Sequence, residues 1–334
     1  MDAKLLSEHR NSLFGLASIG VILVHSNAVI EWPVAIVGKL FGFGGIGVYV
    51  FAFLSGIGLF FSMKKSSGGD RAFYKRRLLR VVVPYFIIAG IWYGIKYLVL
   101  EPSFVGFIWE LSTLSYWFEH KGAWYVAMLI PLYFFYPLFY KWVESGERER
   151  KMCIIIGFLL IISAMLYIFC KPVYSHLSQV INSYIVFIVG HYMGEKVMNG
   201  KKIPVFLIGF SILFYPIRAM LPGVKNISLI GSISYAMLGV AFSIIAAFIL
   251  TKLPQWVKNC LDKVGLISLE LYLTNIFLIQ AIQLMNNLIL IKSWYGWLIL
   301  YFMTVIIGAV MSCLARYVNQ LVMQKMQIKR SMYR

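Results

Sequence analysis

Long, nearly uncharged apolar stretches recur along the chain, separated by short polar connections. A helix needs about 20 such residues to cross the hydrocarbon core of a bilayer. That ruler predicts ten membrane helices, at 12–32, 36–61, 81–99, 123–143, 152–170, 178–197, 204–221, 229–251, 264–285 and 293–315. The connections leave no room for a soluble module. The expected fold is therefore all-α: one polytopic integral membrane domain over residues 1–334.

Composition strengthens this reading. Of 334 residues, 60% are hydrophobic and 13% charged, with a mean hydropathy of +0.79. A soluble domain carries about 25% charged residues, and this chain has too few polar groups to cover its apolar surface. The net charge of +18 would suggest nucleic acid, but the cations fall in short runs between apolar spans. That placement points to cytoplasmic loops and to no nucleic-acid partner. With a cytoplasmic N-terminus, the inside loops include "MKKSSGGDRAFYKRRLLR", "ESGERERK", "MNGKK" and "KLPQWVKNCLDK", with the tail "RYVNQLVMQKMQIKRSMYR". The outside loops keep Lys121, Lys171, Lys225 and Lys292, with Arg218 near a helix end. Both termini are then expected in the cytoplasm. Val81 would open the third span, with Pro84 in its first turn, where a missing N–H costs little. Cys153, Cys170, Cys260 and Cys313 show no metal-ligand spacing, so no metal is expected and they read as buried small hydrophobes.

Polar residues at membrane depth each need a reason. His25 lies in "GLASIGVILVHSNAVI", about 20 Å along the first span. A neutral imidazole there can act as a general base, or it can join two helices by a hydrogen bond; both readings are open. Lys39 and Lys96 read as snorkelling side chains. His191 is expected to pair with Glu195 one turn on, and His9 and His176 to be solvated. The glycines of "KLFGFGGIGVYVFAFLSGIGLFF" invite close approach of another backbone or a ligand. In the outer loop, Trp109, Trp117 and Trp124 could stack on sugar rings, with Glu110 or Glu119 bonding hydroxyls; the alternative is an aromatic belt.

Five motifs in this order resemble the acyltransferase family 3 of integral membrane proteins, which includes many bacterial polysaccharide O-acetyltransferases: "VILVHS", "GGIGVYVFAFLSGIGLFF", "FYKRRLLRVVVPYF", "GAWYVAMLIPLYFFYPLFY" and "VGLISLELYLTNIFLI". The resemblance covers most of the chain. It implies transfer of an acyl group, usually from cytoplasmic acetyl-CoA, to a hydroxyl of a lipid-linked or exported glycan, in the bacterial plasma membrane. It places the essential histidine at His25 and the arginine pair at Arg77 and Arg80. Lys75 and Arg76 are positioned to assist in binding the CoA phosphates, for which guanidinium forks are suited. Three positions depart from the family pattern. Phe14 replaces a basic residue, for which Arg10 could substitute; Tyr49 replaces an aspartate; Asn275 replaces a histidine. Tyr49 keeps a hydroxyl and Asn275 an amide, and both are carried as substrate-binding candidates with Ser55, Trp117 and Glu119. Ser55 and Ser268 stand where the family has serines. Two other classes stay open: a transporter or flippase of a lipid-linked sugar, and a family member that has lost catalysis.

Overall fold

The structure is a computed structural model, described for residues 1–27, 32, 34–65, 69–203, 205–221, 223, 227–284 and 294–332. Lys225, Lys292 and the ends of several expected spans lie outside the described residues. Among the described residues the chain is helical, with a single isolated bridge, Asp2 to Lys202. The helices are α1 (Leu5–Glu8), α2 (Arg10–Ser26), α3 (Ala35–Gly42), α4 (Gly47–Lys64), α5 (Gly69–Gly94), α6 (Phe104–Leu111), α7 (Leu114–Glu119) and α8 (Trp124–Glu144). They continue with α9 (Arg148–Phe169), α10 (Lys171–Met198), α11 (Val205–Met220), α12 (Ser228–Leu250), α13 (Gln255–Leu266), α14 (Ser268–Leu284) and α15 (Trp294–Met332). A 3-10 turn, Phe43–Ile46, joins α3 to α4, and a π-helical turn, Ile95–Leu100, extends α5.

Every expected span contains a helix. Among the described residues, six helices are long and apolar enough to cross a membrane, and a seventh if the α13–α14 pair, bent by 65°, is one span. The helices that fall short do so for visible reasons. α2 and α11 are brief, at 17 and 16 residues. α10 is long but carries Ser178, Gln179, Asn182, Ser183 and His191, most of them buried in protein. A helix enclosed by protein does not need a lipid-compatible surface. α9 shows the opposite case: Ile154, Phe158, Ile161, Met165 and Ile168 recur at helical spacing and are exposed, as a lipid-facing stripe requires.

Contact density divides the chain into two units. The first comprises Met1–Val21, Leu40–Ser67 and Tyr136–Leu266. Its centre is α4 against α10. At Gly56 an added Cβ would strike the Phe187 carbonyl, and at Gly190 the Phe53 carbonyl. The two backbones touch because both contact points are glycine, as the glycine-rich second span predicted. Gly58 similarly leaves room for the Arg10 guanidinium, which lies over the Phe14 ring at 4.6 Å. Ser12 on α2 donates to Asp262 on α13 at 2.6 Å.

The second unit comprises Ile22–Lys39, Gly68–Phe135 and Ile267–Arg334. It is built on α5, α14 and α15, which pack on one another. Here the sequence expectation is corrected. The basic run is not a loop before the third span; it is the beginning of α5, which opens at Gly69. Phe73, fully buried, anchors that first part. Pro84 therefore stands inside the helix and not in its first turn.

Other readings change as well. Cys153, Cys260 and Cys313 are exposed, not buried, and Cys170 is half-buried. His176 is buried rather than solvated. Lys96 does not snorkel: it forms a 2.8 Å salt bridge with Glu110, which is 3% exposed and also accepts a hydrogen bond from Tyr97. His191, wholly buried, has partners on α8 and not on its own helix. Its Nδ1 is 2.9 Å from the Tyr136 hydroxyl and its Nε2 3.4 Å from Glu144. Glu195 pairs instead with Arg148, which also reaches Glu144 at 3.0 Å.

Candidate active site

His25 occupies the last turn of α2. Its Nδ1 is 2.9 Å from Asn275 Oδ1 on α14. Asn275 is completely buried, and its Nδ2 donates to Thr304 Oγ1 on α15 at 3.2 Å. The Thr304 hydroxyl donates to the Leu300 carbonyl at 2.8 Å, so its oxygen is left to accept. This chain of donors fixes the amide. Its NH2 must face Thr304, so its oxygen must face His25. An amide oxygen only accepts, so a neutral His25 must carry its proton on Nδ1 and keep the Nε2 lone pair open. Among the described residues Nε2 bonds to no protein group. A half-buried imidazole held in this tautomer has the form of a general base.

Tyr272, one turn before Asn275 on α14, places its ring 6.2 Å from that of His25. The Tyr125 backbone N–H points at the Tyr272 hydroxyl at 3.4 Å, and the two rings meet edge to face. All these groups belong to the second unit. Sequence reasoning found His25 and Asn275 but missed Tyr272 and Thr304. The signal for Thr304 was a lone threonine in the apolar run "YFMTVIIGAV".

Lys75, Arg76, Arg77 and Arg80 lie in the early turns of α5, in the same unit as His25. Arg76 and Arg80 are exposed, and Lys75 and Arg77 half-buried. Arg80, together with Arg316, acts electrostatically on Glu270 near the start of α14. Thirteen residues after Arg80, Tyr93 meets the Phe277 ring at 5.3 Å, close to the level of Asn275. At 1.5 Å per residue the cluster lies about 20 Å along α5 from that level.

Trp117 and Glu119 lie on α7, with left-handed residues, Thr113 and His120, at its two ends. Glu119 already has partners: Lys121 at 2.8 Å and the Trp109 indole N–H at 2.7 Å. The Lys121 ammonium, followed by that indole, holds its carboxyl below the usual range. Burial pushes the neighbouring Tyr116 up to about 12. Glu110 is committed to Lys96 and Tyr97, which removes it as a sugar-binding group.

Tyr49 and Ser55 lie in the first unit, both buried on α4. The Tyr49 ring stands edge-on to Tyr235 at 6.1 Å. The expected residues thus fall in four places: His25 with Asn275, the cations in the early turns of α5, the α7 pair Trp117 and Glu119 elsewhere in the same unit, and Tyr49 and Ser55 in the other unit. Among the described residues no group of three metal-binding side chains occurs.

Residues 15–313 match the family model described as "Acyltransferase domain". No curated protein and no solved structure matches the chain.

Proposed function

On the premise that this chain belongs to that acyltransferase family, we propose that it moves an acetyl or other short acyl group from cytoplasmic acyl-CoA to a hydroxyl of a cell-surface or lipid-linked glycan. In this reading it crosses the bacterial plasma membrane ten times, with both termini inside. The observation that carries it is the His25–Asn275–Thr304 chain, which leaves one imidazole nitrogen poised as a base.

The acceptor hydroxyl donates its proton to His25 Nε2 as its oxygen attacks the thioester carbonyl carbon. The C–O bond forms, the C–S bond breaks, and the proton passes from the imidazolium to the departing CoA thiolate. Asn275 Oδ1 keeps its bond to Nδ1–H throughout, so the ring need not turn between accepting and giving the proton. Arg77 and Arg80, with Lys75 and Arg76, bind the CoA phosphates at the cytoplasmic end of α5. Trp117 and Glu119, with Tyr49, Ser55 and Asn275, are the acceptor-side candidates. The replacement of a family histidine by Asn275 is compatible with activity, because the amide supports His25 rather than leaving it alone.

The test is release of CoA from acetyl-CoA by the purified protein, with and without lipid-linked glycan from the source membrane. Acceptor-dependent release supports the reading. Binding of neither donor nor any change on adding acceptor sinks it and favours a transporter or a non-catalytic role.

A further inference from the structure

One buried hydroxyl beside His25 has no part in the acyl transfer described above: that of Tyr272. Tyr272 lies on α14 one turn before Asn275 and is 6% exposed. Its ring stands 6.2 Å from the imidazole, tilted by 47°. Its oxygen accepts from the Tyr125 backbone N–H at 3.4 Å. A phenol also has one proton to donate, and among the described residues no group accepts it.

The amide that meets this oxygen belongs to the first turn of α8, where N–H groups have no partner within the helix. The Trp124 amide bonds to the Gly122 carbonyl, and those of Val126 and Ala127 to the Ala123 carbonyl. The Tyr125 amide points at Tyr272 instead. Ala123, Tyr125 and Val126 are buried, so solvent screens this positive helix end little. An N–H donated to the phenol oxygen polarises its O–H and strengthens it as a donor. The neighbouring polar groups are otherwise engaged. Asn275 spends its amide on His25 and Thr304. The Thr274 hydroxyl is buried without a partner, but a separation of two positions puts it on a different face of α14 from Tyr272.

A fixed, buried donor with an unspent proton suits an oxygen on which negative charge develops. In acyl transfer that oxygen is the carbonyl oxygen of the thioester. Donation to the attacking hydroxyl oxygen would instead make it a poorer nucleophile. We propose that Tyr272 is a further catalytic residue, donating its O–H hydrogen bond to the acyl carbonyl oxygen as the tetrahedral intermediate forms. This assignment rests on the acyl-transfer reading. The acceptor's proton goes to His25 Nε2 while its oxygen bonds to the acyl carbon. The carbonyl π pair moves onto its oxygen, where Tyr272 holds it, and the phenol keeps its own proton. The pair then returns to re-form the carbonyl, the C–S bond breaks, and the imidazolium protonates the departing thiolate.

The test uses the full chain in nanodiscs, titrated calorimetrically with acetyl-CoA and with trifluoroacetonyl-CoA, a ketone that hydrates to a tetrahedral diol. The wild type should bind the ketone more tightly than acetyl-CoA, by about 100-fold or more. Tyr272→Phe keeps the ring and removes the O–H. It should weaken the ketone about tenfold or more and leave acetyl-CoA within about twofold. Its kcat for CoA release with lipid-linked glycan should fall about 100–1,000-fold, with KM little changed. A monofluorinated tyrosine at position 272 keeps both hydrogen bonds and makes the phenol a stronger donor. It should raise the preference for the ketone, and it keeps the test decisive if the Phe variant fails to fold. Thr274→Val should leave both affinities unchanged. A preference for the ketone unmoved by either change at position 272, or equal weakening of both ligands in Tyr272→Phe, overturns the proposal. Acceptor-dependent release that Tyr272→Phe leaves intact overturns it too, while the acyl-transfer reading survives. Failure of the wild type to bind acetyl-CoA removes both. A Tyr272-dependent preference for the ketone without acceptor-dependent release would remove the glycan as acceptor and leave the Tyr272 assignment standing.

Discussion

Replacing Asn275 by alanine removes the acceptor that holds His25 in one tautomer. A net hydrogen bond of this kind is worth about 0.5–1.5 kcal/mol. If that energy separates the two tautomers, its loss changes their ratio by a factor of about 2–13. Freedom of the ring to rotate adds a misorientation penalty, so kcat should fall about 10–100-fold. Donor KM should stay within about twofold, because the α5 cations are untouched. Thr304→Val is the subtler change. It preserves volume but removes the acceptor for Asn275 Nδ2, so the amide can flip and present NH2 to His25. A fall of about 2–5-fold is expected, and Thr304→Ser, which keeps the oxygen, should stay near wild type. The assay is steady-state CoA release, with melting temperatures to screen for unfolding. Full kcat in Asn275→Ala would refute the reasoning. So would equal impairment of Thr304→Val and Thr304→Ser, since that pattern reports packing and not hydrogen bonding.

Three further outcomes follow from the geometry. The double variant Arg77→Ala, Arg80→Ala should raise the acyl-CoA KM about tenfold or more with a smaller change in kcat; kinetics at saturating acceptor decide this. Gly190→Leu should destabilise strongly, by about 3 kcal/mol or more, because the new side chain meets the Phe53 backbone, which cannot move aside; thermal melting in detergent checks it. Lys96→Met should cost about 3–5 kcal/mol by leaving the Glu110 carboxylate buried without its cation. The double variant Lys96→Met, Glu110→Gln should recover most of that loss, as a thermal double-mutant cycle would show.

The helices were legible because apolar runs near the bilayer length have few alternatives. The start of α5 was not, because Phe73, Leu78 and Leu79 are interleaved with cations. Local composition there reads as a charged loop, whereas burial of Phe73 stabilises a helix. The expected span 178–197 lies within α10, which begins earlier, at Lys171; the sequence did not reveal that most of its polar residues are buried in protein. His25 stood out as an ionisable group at depth. Asn275 was visible only as a departure from a pattern, since its contact with His25 joins residues 250 positions apart. Thr304 escaped notice because one threonine in an apolar helix usually bonds its own backbone, as this one also does. Glu110 was read as loop surface because its partner Lys96 lies across a turn that the sequence does not reveal.

The central claim is that His25 Nε2 takes the acceptor's proton. The most direct test is acyl transfer by His25→Ala and His25→Gln in purified protein, with acetyl-CoA affinity measured in parallel. The account predicts that kcat falls at least about 100-fold in both variants, while acetyl-CoA binds within about twofold of wild type. Transfer by His25→Ala at a rate near that of the wild type would contradict it.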